Sequence, residues 1–158
     1  MRREIKNSPD PLIIPKNKKA RLLNRLLCVY QEIKLIPTKV FPNPRATITE
    51  LVDACHAGDG ERLRGVFSQG ALMSGYFNGE YYSGSPEPFY DEVSDNPAPA
   101  STGVEYIAEI TSVEEYGDIA SAILEEKNFL GADLINLYQL VRIDGNWLIV
   151  SKTYVDKW

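Results

Sequence analysis

From Val104 onward the apolar residues fall at every second position, and this change of period constrains the fold more than any other feature of the chain. Residues 104–114, 119–129, 132–143 and 147–155 read as four strands. Short turn signals separate them at Tyr116-Gly117-Asp118, Leu130-Gly131 and Asp144-Gly145. Connections this short make neighbouring strands antiparallel.

The earlier part carries helical spacing instead. Leu22, Leu23, Leu26, Leu27, Tyr30 and Ile33 predict one helix within residues 19–35, stopped by Pro37, and residues 38–44 read as a linker. A second helix starts near Ala46 or Thr47, buries Ile48, Leu51, Val52 and Cys55, and ends at Gly58. Asp59 or Gly60 caps a short helix over 61–67. Residues 71–77 form a strand that Asn78-Gly79 turns into Tyr81-Tyr82. Ser85 caps a further helix with Pro86 at its first position and Phe89, Tyr90 and Val93 on one side, and residues 96–102 read as a loop. Helices followed by a meander predict an α+β domain, with the helices packed on one face of a curved antiparallel sheet.

The last hairpin says more. A two-residue type I′ turn at Asp144-Gly145 sets Arg142 opposite Trp147, Leu140 opposite Ile149, Tyr138 opposite Ser151 and Asn136 opposite Thr153, all on one face. The other face carries Ile135, Leu137, Gln139, Val141 and Ile143 beside Leu148, Val150, Lys152 and Tyr154. Both faces are mostly apolar, although a sheet with one wet side alternates cleanly. Helices cover only one of them. A second copy of the same sheet is the simplest cover for the other, so a homodimer through the sheet is expected.

Charge divides the chain. Residues 1–45 hold eleven Lys and Arg against Glu4, Asp10 and Glu32, a net +8, whereas residues 46–158 are net −13. A basic N-terminal extension of residues 1–45 thus precedes an acidic domain of residues 46–158. The extension reads either as an arm for an acidic surface, nucleic acid or its own domain, or as a solvated extension or residues translated from upstream of the true start; the acidic domain argues against nucleic acid. Two cysteines, Cys28 and Cys55, and one histidine, His56, give no metal-ligand or disulfide pattern, and no Gly-rich phosphate loop is present, so no metal and no cofactor are expected. No apolar run approaches the roughly 20 residues of a membrane span, and Met1-Arg2-Arg3-Glu4 leads into no signal-peptide segment, which makes cytoplasmic the expected location, away from membranes.

Three runs carry a resemblance. Gly58-Asp59-x-Glu61-Arg62-Leu63, Tyr76-Phe77-Asn78-Gly79 and the closing segment from Leu140 to Lys152 resemble the nuclear-transport-factor-2-like superfamily, and within it the small bacterial proteins named putative lumazine-binding. Gly117-Asp118-Ile119-Ala120 matches the turn and strand start seen there, and the likeness covers about residues 46–158. The resemblance implies a cone: three helices over a strongly curved sheet, a pocket between them and a dimer through the sheet. That superfamily includes isomerases, cyclases, dehydratases, epoxide hydrolases and proteins without catalysis, so the resemblance assigns no catalytic residue.

In such a pocket Asn136, Tyr138, Ser151 and Thr153 are the expected ligand contacts, with Tyr76 in an aromatic wall beside Phe77, Tyr81 and Tyr82 that suits a flat heterocycle. A two-residue turn at Leu130-Gly131 sets Glu125 opposite Asn136, where burial would raise its pKa and suit it as a general base, with Tyr138 donating to an oxyanion. Alternatively Glu125 pairs with Lys127 or solvent and Tyr138 is packing; a slip of one residue would turn Glu126 inward in its place. Lys152 is expected at the dimer seam, and Arg142 as a cross-strand cation–π partner of Trp147. Three functions stay open. The first is a binding protein for a small, flat, largely apolar molecule; the second is an isomerase, dehydratase or cyclase using a pocket carboxylate; the third is a non-catalytic association module.

Overall fold

A computed structural model of the chain describes residues 39–157. The helix expected within 19–35 and most of the basic extension lie outside the described residues. Helices α1 (Pro44–Ala57) and α2 (Gly60–Val66) come first, followed by strands β1 (Phe67–Phe77) and β2 (Glu80–Gly84). Helix α3 (Glu87–Asp95) and the single turn α4 (Pro99–Thr102) follow. Strands β3 (Ile107–Tyr116), β4 (Ile119–Phe129), β5 (Ala132–Ile143) and β6 (Asn146–Asp156) complete the domain.

Helix α1 starts earlier than its apolar stripe suggests. Asn43 is extended and its Oδ1 accepts from the Ala46 N–H at 2.8 Å, while Pro44 takes the first helical position, where no N–H is needed. Gly58 ends the helix at φ 70°. Asp59 caps α2, accepting from the Arg62 N–H at 3.0 Å. At α3 the cap position falls to Pro86 rather than Ser85, with no side-chain cap bond, and part of the expected 96–102 loop winds into α4. The supposed linker before α1 is docked: Phe41 is buried, its N–H donates to Asn146 Oδ1 at 2.6 Å and its carbonyl accepts from the Trp147 N–H at 3.1 Å.

Three helices pack against a curved, unclosed six-stranded sheet with strand order β2-β1-β6-β5-β4-β3. It is mixed rather than wholly antiparallel, because β1 lies parallel to β6. These two strands are joined by no short turn, so their direction is free of the hairpin constraint. Positive φ at both central residues of Asn78-Gly79, Leu130-Gly131 and Asp144-Gly145 marks three type I′ hairpins.

Of the register shifts found in four strand pairs, two β-bulges reset the faces of β4, β5 and β6. In β5–β6 the pairs run Arg142↔Trp147 and Leu140↔Ile149 as expected, then skip Val150 to Gln139↔Ser151 and Tyr138↔Lys152. In β4–β5 Phe129 pairs with Ala132 and Glu126 with Leu134, so Lys127 and Asn128 together oppose Asp133. Asn128 takes φ 55° there and its N–H donates to Asp133 Oδ1 at 2.9 Å. Each bulge inverts every later side chain of its strand relative to strict alternation. The helix-covered face therefore presents Leu124 and Glu126 of β4, Asn136, Tyr138 and Leu140 of β5, and Trp147, Ile149 and Lys152 of β6, all buried beneath Ile48, Leu51, Leu63 and Val66 and their neighbours. The opposite face exposes Leu72, Tyr76, Tyr81, Ile119 and Leu137. Among the described residues, no helix is long and apolar enough to cross a membrane.

Candidate functional site

A cavity of about 380 Å³ opens between α3 and the covered face of the sheet. Pro88, Phe89 and Glu92 of α3 form one wall; Met73, Phe77, Tyr82, Lys152 and Tyr154 form the sheet wall; Phe129, Leu130 and Leu134 close it at the β4–β5 turn. Phe89 is fixed by ring contacts to Phe67 at 6.4 Å and Phe129 at 6.2 Å. Tyr154 lies against the bare backbone of Gly75, where any Cβ would come within 2.8 Å of its ring. The glycine thus makes room for one aromatic side of the cavity.

The notable group is Lys152. It lines the cavity while being only 3% exposed, and its ammonium sits 3.8 Å from the centroid of Phe89, 5.5 Å from that of Tyr154 and 5.9 Å from that of Tyr138. No hydrogen bond or ion pair to another described residue engages it. Burial lowers its pKa below the usual 10.5, partly opposed by the negative charge of Glu126.

Behind this cation lies a buried polar group. Glu126 accepts from the Tyr106 hydroxyl at 2.5 Å and from Asn136 Nδ2 at 2.8 Å. Tyr106 is pushed far above its ordinary pKa by burial and then by Glu126, and Tyr138 likewise. Both tyrosines therefore remain neutral donors at any working pH. Tyr138 Oη and Asn136 Oδ1 are buried without a partner among the described residues. Cys55 is also buried here, its thiol held protonated chiefly by burial. His56 stacks on Tyr106 at 6.1 Å at the end of α1, beside this group rather than in the cavity.

The residues expected to form one site are divided between the two faces. Asn136 and Tyr138 lie on the covered face, directly across β5–β6 from Tyr154 and Lys152. The Val150 bulge carries Ser151 and Thr153 to the outer face, where Thr153 and Tyr76 line a depression of about 250 Å³ with Tyr81, Leu137 and Val155. Glu125 is likewise turned outward, opposite Ile135, and its carboxylate pairs with Lys157 at 2.6 Å rather than with Lys127. Lys152 moves the other way, from the expected seam into the cavity. The Arg142–Trp147 pair stands where the turn placed it, 5.7 Å from cation to ring centroid, with Asp118 also bonded to the guanidinium. Alternation hid Lys152; the uninterrupted apolar run Trp147-Leu148-Ile149-Val150 is the sequence sign that strict alternation fails there.

Residues 43–155 match the model of the family described as "Putative lumazine-binding", a span that runs from the α1 cap into β6. Among solved structures the chain is similar to an NTF2-like protein of unknown function from Silicibacter pomeroyi DSS-3, with 27% identity, TM-score 0.63, and coverage of 72% of this chain and 92% of that one. A second, from Methylobacillus flagellatus KT, gives 24% identity, TM-score 0.65 and coverages of 71% and 87%. A third, from Shewanella baltica OS155, gives 21% identity, TM-score 0.64 and coverages of 71% and 89%. None of the curated proteins matches the chain.

Proposed function

The chain belongs to the putative lumazine-binding family, and on that premise we propose that it binds a small, flat, largely apolar molecule in the cavity beneath α3. The observation that carries this reading is the composition of the walls. Phe77, Tyr82, Phe89, Phe129 and Tyr154 offer ring faces and edges, with Lys152 as the buried polar group, and 380 Å³ falls in the range of small-molecule pockets. Catalysis by Glu125 has no support in this arrangement, since its carboxylate lies on the opposite face. The test is a thermal-shift series with lumazine, riboflavin and steroid or polyketide compounds. A binder of the folded state adds RT ln(1 + L/Kd) of stability, L being its free concentration, and so raises the melting temperature as that concentration increases. Met73→Trp, which fills the cavity, should abolish the rise; no rise with any compound, or a rise that survives Met73→Trp, would overturn the reading.

We further propose that the outer face pairs with a second copy. Its support is the exposed set Leu72, Tyr76, Tyr81, Ile119 and Leu137, too broad and apolar for an isolated wet face. Ser151 and Thr153 then belong to the seam, so their replacement by Lys should weaken dimerisation while Tyr138→Phe leaves it intact. Light scattering at micromolar concentration showing only monomer would sink this proposal.

A further inference from the structure

Resting on the cavity reading above, we propose that the occupant carries an anionic group, of the aryl carboxylate class, and that Lys152 is its anchor.

The argument starts from an imbalance within the site. Two opposite charges are buried beneath the helices, but the fold treats them differently. Glu126 has its hydrogen-bonding partners built in, from Tyr106 and Asn136. Lys152 has none among the described residues: its ammonium lies over the rings of Phe89, Tyr154 and Tyr138, at 3.8, 5.5 and 5.9 Å from their centroids, and no carboxylate oxygen of those residues lies within 4.0 Å of it. Ring faces compensate a desolvated ammonium only in part, and an ammonium with no acceptor is among the costliest groups to bury. The side chain nonetheless reaches the cavity instead of snorkelling out of the sheet. No described residue supplies the acceptor it lacks, and there is space for one on the cavity side.

The same surroundings define what must be attached to that acceptor. Phe89 and Tyr154 flank the ammonium and line the cavity, so a group bonded to Lys152 emerges between ring surfaces. A planar aromatic body continues along them. A cationic ligand would meet Lys152 with like charge. Glu92, the carboxylate on the opposite wall, is exposed and already accepts from Asn96 Nδ2 at 3.0 Å, so it does not reverse that preference.

The experiment compares 2-naphthoate with 2-naphthamide, isosteres that differ in charge, by titration calorimetry against the full chain. The wild type should bind the carboxylate at least tenfold more tightly than the amide. In Lys152→Met the ratio should fall to about one, and Lys152→Arg should restore part of it. A residue that merely supported the fold would alter both affinities together and leave the ratio unchanged. Equal affinities in the wild type, or an unchanged ratio in Lys152→Met, would overturn the anchor while leaving the cavity reading intact. Binding of neither probe would count against the anchor, and absence of any hit in the thermal-shift series as well would remove the cavity reading itself.

Discussion

Glu50 and Lys152 are both charged, both almost wholly buried, and served by the fold in opposite ways. Glu50, 6% exposed on α1, receives Arg62 Nε at 2.9 Å from α2 and the ammonium of Lys39 from the segment before α1. Three pieces of chain are tied together by one carboxylate, which is held below its usual pKa by the Arg62 hydrogen bond first. Lys152, 3% exposed on β6, receives among the described residues only ring faces and the open space of the cavity. A charge with its partners built in contributes to the fold; a charge without them costs stability, and such a cost persists where function requires it. This contrast separates structural polarity from site polarity more sharply than burial or sequence position does.

The largest effect should come from breaking the satisfied charge. Arg62→Met leaves Glu50 with the exposed Lys39 as its only partner among the described residues and should cost about 2 kcal/mol, the scale of a hydrogen bond to a charged group lost beside a buried carboxylate. Chemical denaturation at pH 7 measures it. The sign with pH follows from the lowered folded pKa. The Glu50 contribution is complete above the ordinary carboxylate value of 4.5 and is lost as pH falls through the lower folded value. The gap between wild type and Arg62→Met should therefore narrow in acid. A gap that stayed constant from pH 7 to 3 would mean that packing of the arginine stem, not its charge, is what Glu50 loses.

Lys152→Met should act in the other direction, stabilising the apo protein at pH 7 by about 1 kcal/mol, because a stem of similar length replaces an ammonium that finds no acceptor among the described residues. Here the folded pKa lies below 10.5, so the folded state gives up its proton before the unfolded chain does. Wild-type stability then gains on the variant as pH rises from the folded value toward 10.5, and the advantage of methionine shrinks. Glu126, Cys55, Tyr138 and Tyr154 also surround this position, and Glu126 and Cys55 are coupled to the Lys152 charge, so the difference between the two proteins reads that coupling together with the desolvation of the ammonium. Destabilisation by Lys152→Met at pH 7 would place Lys152 in the same class as Glu50 and remove the contrast.

How much of this was legible in the sequence depends on what sets each feature. Hairpin turns are local: Asn78-Gly79 and Asp144-Gly145 need φ above zero and contain the residues that adopt it, so the order of strands β1–β2 and β5–β6 followed directly. The stripe Ile48, Leu51 and Cys55 likewise identified α1. The candidate site depends instead on two extra residues, at Val150 and at Lys127-Asn128. A bulge is chosen by how Trp147, Ile149 and Lys152 pack beneath the helices, not by the residue that bulges, and valine carries no local signal for one. Its effect is nevertheless large for function. One skipped residue exchanged Lys152 for Ser151 in the cavity, and the second exchanged Glu126 for Glu125 on the covered face. The overall fold survives such a shift because both faces are apolar, whereas the site is rewritten by it.

Tyr138 offers the finest test, because it has the smallest polar group of the set. Its hydroxyl is wholly buried and has no partner among the described residues, as has its neighbour across one strand step, Asn136 Oδ1. If the two oxygens are bare, Tyr138→Phe removes only a desolvation cost and should raise stability by about 0.5 kcal/mol, less than the full burial penalty because the ring leaves a gap where the oxygen was. If one water bridges them, the same substitution strips a bond from Asn136 and should lower stability by about 1 kcal/mol. The first result groups Tyr138 with Lys152, as polarity that the fold leaves unmatched. The second groups it with Glu50 and leaves Lys152 as the unmatched donor facing the cavity, which narrows the points of attachment for any ligand to its ammonium.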